Sequence, residues 1–359
     1  MTPDPVSAPT GASAPTGTGV PTGSDPSFAA LFPGQGSQAV GMARALYDAS
    51  PAARAALDAA EMALPGLLEL MWRGPAETLQ LTANQQPALV AAGAAAYAAY
   101  LEAGGPPARY VAGHSLGEFT ALVATGALAI GDAVRLVRAR GEAMQTAVPE
   151  GEGAMAAILK LGRHEVEAAV DAVRAEGLVV DVANLNAPQQ TVISGSAAGV
   201  AAASERLKSA GGRAVPLKVS APFHCRLMRP AADALRPHLA IVELRPFAAR
   251  LVANVTAEVV EDPEAERGLL LEQVTAPVRW VETLERLHAL GVRRFVEFGS
   301  GSVLTGLVGR TLVGGDALAL AAADPDGVAA AVRATARPTP APSTAPEGAT
   351  DDAQEEATA

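Results

Sequence analysis

The stretch AGHSLGEFTAL, Ala112 to Leu122, decides how the rest of the chain reads. It contains Gly113-His114-Ser115-Leu116-Gly117, a G-x-S-x-G pattern. In that pattern a serine sits on a strained turn between a strand and a helix, and the glycines remove side chains that would collide around it. The surroundings agree: Tyr110–Ala112 has strand character and Glu118–Thr125 reads as a helix. Such a turn puts the N–H of Leu116 beside Ser115 at a helix N-terminus, where developing negative charge is stabilised. The competing reading is a serine that only caps a helix in a glycine turn.

A nucleophilic serine needs a base, and the chain has five histidines. His114 adjoins Ser115 on a sharp turn, so its side chain should diverge from the hydroxyl and brace the turn instead. His164, His238 and His288 lie in helix-like stretches with charged neighbours, as surface residues do. His224 differs. It lies in Ser220-Ala221-Pro222-Phe223-His224-Cys225, where Pro222 ends regular structure after a strand. A loop just past a strand end can face a second strand-end loop; the plainer alternative is a structural loop histidine.

A second glycine turn, Phe32-Pro33-Gly34-Gln35-Gly36-Ser37-Gln38, also follows a strand and opens a helix. It loosely fits a dinucleotide fingerprint, but Pro33 sits in the turn and no second strand ends in an acid some 20 residues on. Its other use is a backbone N–H, that of Gln35, aimed at an oxyanion. Gly299-Ser300-Gly301 lacks a third glycine at fingerprint spacing. Arg135, Arg138 and Arg140 share one helix, and spacing alone singles out none of them.

Short apolar strands alternate with helices along most of the chain, which predicts an α/β fold with a mostly parallel sheet. Strands are expected at Phe28–Phe32, Tyr110–Ala112, Arg250–Val255, Arg294–Phe298 and Ala317–Ala321. Residues 152–218 have another rhythm, β-α-β-β-α-β, the ferredoxin-like order. The expected organisation is a core from 28–151 and 219–334, an inserted α+β subdomain at 152–218, and disordered tails at 1–27 and 335–359, the latter acidic. The tails are rich in Pro, Thr, Ser, Gly and Ala, with little to bury. A cleft between insert and core is a natural place for a site.

The net charge is −11, but much of it lies in the tails, and the nearly neutral remainder offers no general nucleic-acid surface. Cys225 is the only cysteine, so no internal disulfide or thiolate metal cluster is expected, and a reducing compartment fits. Pro87–Leu101 is the longest apolar run; it reads as a buried core helix, and neither a membrane span nor a signal peptide is expected. No H-E-x-x-H or cysteine pair suggests a metal.

Taken together, the motifs resemble the malonyl-CoA:acyl carrier protein transacylase family, which includes polyketide-synthase acyltransferases. The resemblance rests on FPGQGSQ with GM (Phe32–Met42), NQQPAL (Asn84–Leu89), GHSLGE (Gly113–Glu118), RG-x-x-MQ (Arg140–Gln145), GAMAAIL (Gly153–Leu159), NAPQQTVISG (Asn186–Gly195), APFHC-x-LM (Ala221–Met228), PVRW (Pro277–Trp280) and EFGSG (Glu297–Gly301). They stand in family order across 28–312. The resemblance implies a hydrolase-like α/β core with the ferredoxin-like insert. It implies Ser115 as nucleophile and His224 as base. The N–H groups of Gln35 and Leu116 would form the oxyanion hole, and Arg140 would hold the free malonyl carboxylate. Gln86 would line the acyl pocket, and the backbone carbonyl of Arg279 would orient the histidine. Phe223 before His224 is similar to the malonyl-selective pattern, since an extra methyl would meet the ring. The implied reaction is ping-pong transfer of malonyl from malonyl-CoA to the thiol of a holo acyl carrier protein. It needs no cofactor, since CoA is part of the substrate, and a cytoplasmic monomer would carry it out. The alternatives are an acyl hydrolase on the same scaffold and a non-catalytic partner protein.

Overall fold

The computed structural model describes residues 28–336. Most of the 1–27 and 335–359 tails therefore lies outside the described residues. The boundary at 335 needs a correction: a helix, Pro325–Ala336, runs across it. Thr335 is buried there, and its hydroxyl shares a 2.8 Å hydrogen bond with that of Tyr100.

The chain builds two sheets. The larger takes strands from both ends of the sequence: β1 (Phe28–Phe32), β2 (Tyr110–Gly113), then β7 (Arg250–Val252), β8 (Val259–Val260), β9 (Arg294–Phe298) and β10 (Leu318–Ala322). Its order is β10-β9-β1-β2-β7-β8, parallel throughout except at the β7–β8 edge. β1 is buried along its whole length, as a central strand covered on both faces must be. The smaller sheet comes from the middle of the chain: β3 (Gly153–Leu159), β4 (Val180–Ala187), β5 (Gln190–Ser196) and β6 (Arg213–Pro216). Its pairings are antiparallel in the order β4-β5-β3-β6, with helices Arg163–Ala175 and Ala197–Ser209 as crossovers, which is the ferredoxin-like topology.

The few aromatic residues are concentrated. Phe28 and Phe32 of β1, Phe298 of β9, and Tyr97 and Tyr100 of helix Thr82–Glu102 stack with ring centroids 5.0–6.1 Å apart. Alanine fills much of the rest of that helix, which is buried nearly all round as its sequence predicts. Pro87 lies inside it and has no N–H for the carbonyl of Ala83; that oxygen accepts from Arg138 instead, at 3.4 Å. The next long helix, Ile130–Thr146, packs closely where Gly141 stands, since a Cβ there would lie 2.7 Å from Ala83 Cα and from the Thr82 carbonyl oxygen. That contact brings Arg140 beside Gln86.

Candidate active site

The turn after β2 is a strand-to-helix elbow leading into helix Gly117–Ala124. Ser115 sits at its apex with φ 51°, a left-handed conformation that non-glycine residues avoid. The flanking glycines are steric necessities. A Cβ on Gly113 would lie 1.8 Å from the Gly117 carbonyl carbon, and one on Gly117 would lie 2.0 Å from the Phe32 oxygen. Such strain persists only where surrounding bonds fix it. Here Asn254, just past β7, supplies them: its Oδ1 accepts from the Ser115 N–H at 2.6 Å, and its Nδ2 donates to the Gly113 carbonyl at 2.5 Å.

His224 reaches the serine from a residue separation of 109, with Nε2 2.7 Å from Ser115 Oγ. It too is left-handed, φ 58°. Its loop is pinned from several sides: Cys225 donates its thiol to the Pro222 carbonyl, and the Arg226 N–H donates to Asp181 Oδ2 at 2.9 Å. Asp181 belongs to β4, so the small sheet helps hold the histidine loop. On the far side of the ring, Nδ1 lies 2.9 Å from the Gln273 carbonyl and 3.1 Å from that of Ala276. Two acceptors place the ring proton on Nδ1 and leave Nε2 to accept from Ser115. Burial, with the positive Arg140 nearby, lowers the imidazole pKa to about 3. The resting ring is therefore neutral, and its Nε2 faces the Ser115 hydroxyl as an acceptor.

These carbonyls correct the expectation for Arg279. Its own carbonyl starts helix Trp280–Ala289, accepting from the N–H and the hydroxyl of Thr283, both at 2.9 Å. The PVRW segment instead ties the small sheet to the core. Val278 bridges to β4 in parallel, and the Arg279 N–H donates to the Asn254 carbonyl. His114 also stands away from Ser115. Its Nε2 is 2.8 Å from Asn186 Oδ1 and its ring packs on Trp280.

Arg140 is fully buried. Nη2 donates to Ser115 Oγ at 3.2 Å and to Gln273 Oε1 at 2.9 Å, Nη1 donates to Gln86 Oε1 at 2.8 Å, and the Phe119 ring lies under the guanidinium. Its Nε–H has no acceptor among the described residues. Desolvation lowers its pKa to about 10, against the opposing pull of Glu118, so it remains charged at neutral pH. Glu118, three residues after the serine, is also buried; burial pushes its pKa up to about 7. Its Oε1 accepts from the Asn254 N–H at 2.9 Å, and its Oε2 accepts from Gln273 Nε2.

Gln35 lies on the Pro33–Gly36 turn against the elbow, where a Cβ on Gly34 would come within 2.6 Å of the His114 oxygen. Its side chain donates to Gln85 Oε1 at 2.6 Å. The backbone N–H groups of Gln35 and Leu116 have no acceptor among the described residues. Phe223 is buried next to His224. The structure thus gathers Ser115, His224, Arg140 and Gln86 at one point, with the Gln35 turn against the elbow, and leaves the Arg279 carbonyl out. Sequence reasoning missed Gln273, Asn254 and Glu118. Glu118 had a signal, an acid inside the apolar run EFTAL, and Asn254 is a polar residue ending an apolar strand. Gln273 had none.

A cleft of about 600 Å³ does lie between insert and core, lined by Arg174, Asp181, Arg226, Arg229 and Thr275 among others, but it includes neither Ser115 nor His224. Among the described residues no helix is long and apolar enough to cross a membrane, and no group of three or more His, Cys, Asp or Glu side chains could hold a metal ion.

A serine 2.7 Å from a neutral imidazole, with a buried guanidinium alongside, is suited to acyl transfer. The sequence matches the acyl transferase domain family over residues 30–336. The chain belongs to that family. It is 45% identical to the malonyl CoA-acyl carrier protein transacylase of Bacillus subtilis over 307 residues, covering 85% of this chain and 96% of that one. Identity to the Escherichia coli K12 protein of the same name is 43%, over 85% and 98% of the two chains. Among solved structures, an acyl-carrier-protein S-malonyltransferase from Burkholderia pseudomallei superposes with a TM-score of 0.82 at 46% identity, covering 86% of this chain and 99% of that one. A malonyl-transacylase in complex with its type II polyketide-synthase acyl-carrier protein gives 0.82 at 41% identity, with the same coverage.

Proposed function

We propose that this chain moves a malonyl group from malonyl-CoA to the phosphopantetheine thiol of a holo acyl carrier protein, through an ester on Ser115, in fatty-acid or polyketide assembly. The observation that carries the reading is a charged, fully buried guanidinium 3.2 Å from the Oγ that receives the acyl group. A malonyl ester has three carbons and ends in a carboxylate, so it can double back from Oγ onto Arg140. A planar guanidinium can bind that carboxylate through two parallel, charge-assisted hydrogen bonds, and Gln86 holds it in place from the facing helix.

His224 takes the proton of Ser115 as Oγ attacks the thioester carbonyl. The N–H groups of Gln35 and Leu116 receive the charge that develops on the carbonyl oxygen. CoA leaves with the proton from His224. The carrier thiol then gives its proton to His224 and attacks the ester, returning Ser115 to its hydroxyl form. The Gln273 and Ala276 carbonyls stabilise the transient imidazolium, so no acidic third residue is needed. Phe223 beside His224 disfavours a substituent on the malonyl methylene. The chemistry requires no cofactor or metal. Both members of the dyad belong to one chain, so a monomer suffices, and CoA thioesters and a single thiol fit a cytoplasmic setting.

An acyl hydrolase would use the same dyad but would gain nothing from a carboxylate clamp. The partition of the malonyl ester separates the two. Pre-formed malonyl-enzyme should persist in buffer and discharge rapidly to holo carrier protein. Discharge to free malonate at the same rate with and without carrier would make the chain a hydrolase.

A further inference from the structure

Arg140 is a buried cation before any substrate arrives, so something inside the protein must balance it. Two buried acids are candidates, Glu118 and Glu266 of helix Pro263–Glu272. Glu266 has no hydrogen-bond partner for either carboxyl oxygen among the described residues. A buried carboxyl with no donor on either oxygen favours its neutral form, and burial and the neighbouring Glu118 charge push the Glu266 pKa up in the same direction. Glu118, in contrast, is bonded as an anion should be, with one N–H donor on each oxygen. The Gln273 amide links it to the guanidinium, with Oε1 toward Arg140 and Nε2 toward Glu118. The other titratable groups around this cluster, His224 and His114, are both buried and both shifted toward the neutral form. The cluster therefore carries one positive and one negative charge when Glu118 is ionised.

A malonyl carboxylate bound at Arg140 adds a second negative charge to this buried cluster, with no second cation beside it among the described residues. A like charge nearby in a poorly solvated site favours protonation of the weaker acid. We propose that Glu118 is the resident counter-ion of Arg140 and takes up a proton when the malonyl group occupies the clamp, so that malonylation of Ser115 is linked to proton uptake from solvent. The step balances: the Oγ–acyl bond forms, the C–S bond breaks, the serine proton leaves with CoA through His224, and one further proton passes from solvent to Glu118. The hydrogen bonds can follow. A protonated Glu118 becomes a donor, so the Gln273 amide turns over, with Oε1 accepting from Glu118 and Nε2 facing the malonyl carboxylate. That turn releases Arg140 Nη2 for the carboxylate. The Ser115 carbonyl keeps the Glu118 N–H as donor, at 3.1 Å. Glu118 is thus a positioning residue, acting through Gln273 and Arg140. The inference rests on the clamp reading of Arg140.

The test is the equilibrium between malonyl-CoA plus free enzyme and malonyl-enzyme plus CoA, read by intact mass at fixed thioester-to-CoA ratios from pH 6 to 8.5. Acetyl-CoA is run in parallel, so that thiol ionisation cancels in the malonyl-to-acetyl ratio of constants. The expected ratio is flat where Glu118 is already protonated in the free enzyme and falls by up to about tenfold per pH unit above pH 7, the slope of one linked proton. E118Q should flatten the slope, and E266Q should retain it. A ratio independent of pH in the wild-type enzyme overturns the proposal, whether or not E118Q folds; so does a slope lost in E266Q and kept in E118Q. A malonyl ester that forms with no pH-dependent preference refutes the linkage alone, whereas absence of any malonyl ester refutes the transfer reading beneath it.

Discussion

Replacing Arg140 by alanine should invert the chain's choice of acyl group. The guanidinium is fully buried and 3.2 Å from Ser115 Oγ, the proposed acyl carrier. A hydrogen bond to a charged group contributes about 1.5–3 kcal/mol, so a two-bond clamp contributes about 3–6 kcal/mol. Since about 1.4 kcal/mol is tenfold, kcat/KM for malonyl-CoA should fall about 10²- to 10⁴-fold. Acetyl-CoA, which has no carboxylate, loses none of this and gains room. The change also leaves Gln86 Oε1 and Gln273 Oε1 without their donor, so stability drops as well and must be followed by thermal melting. Arg140→Lys keeps the charge but not the fork, and should fall between the two. The assay is competition between malonyl-CoA and acetyl-CoA for transfer to holo carrier protein. A folded Arg140→Ala enzyme with an unchanged malonyl-to-acetyl ratio would refute the clamp.

Asn254→Ala should cost about 2–6 kcal/mol in denaturant unfolding, because it orphans the buried Ser115 N–H and Gly113 carbonyl at about 1–3 kcal/mol each. It should also lower kcat as the strained elbow relaxes; a loss below about 1 kcal/mol would show the strap to be dispensable. The pH dependence of stability follows from the buried histidines. His224 and His114 are both depressed in the fold, so the unfolded chain binds more protons as pH drops below about 6.5. The histidine contribution to stability is therefore lost with acidification from there, opposed by Glu118 and Glu266, whose raised pKa values favour the fold as pH falls; His224→Gln should make the profile less acid-sensitive than that of the wild type. Equal slopes in the two proteins would contradict the assigned protonation. Phe223→Ser should admit methylmalonyl-CoA in the competition assay; unchanged discrimination would clear Phe223 of that role.

The large features were legible because each has a local cause. The alternation of apolar strands and helices gives the parallel sheet, and β-α-β-β-α-β in residues 153–216 gives the small antiparallel one. Ser115 was marked by its glycines and His224 by a proline at a strand end. What the sequence could not supply was the wiring between distant segments. Gln273 contacts His224 through its backbone oxygen, and Arg140, Glu118 and Ser115 through its amide. A backbone carbonyl carries no residue signature, so the resemblance pointed to Arg279 and nothing in the sequence marked Gln273. The tail boundary was misplaced for a similar reason: Thr335 belongs to the fold through a hydroxyl contact with a residue 235 positions away.

The proposed function turns on Ser115 carrying the malonyl group on its way to a carrier thiol. Intact-mass spectrometry of the enzyme with malonyl-CoA, followed by addition of holo carrier protein, tests it directly. The expected result is one added malonyl group, mapped to Ser115, absent in Ser115→Ala, and moved to the carrier on its addition. A malonyl adduct that survives Ser115→Ala, or one that the carrier never accepts, would contradict it.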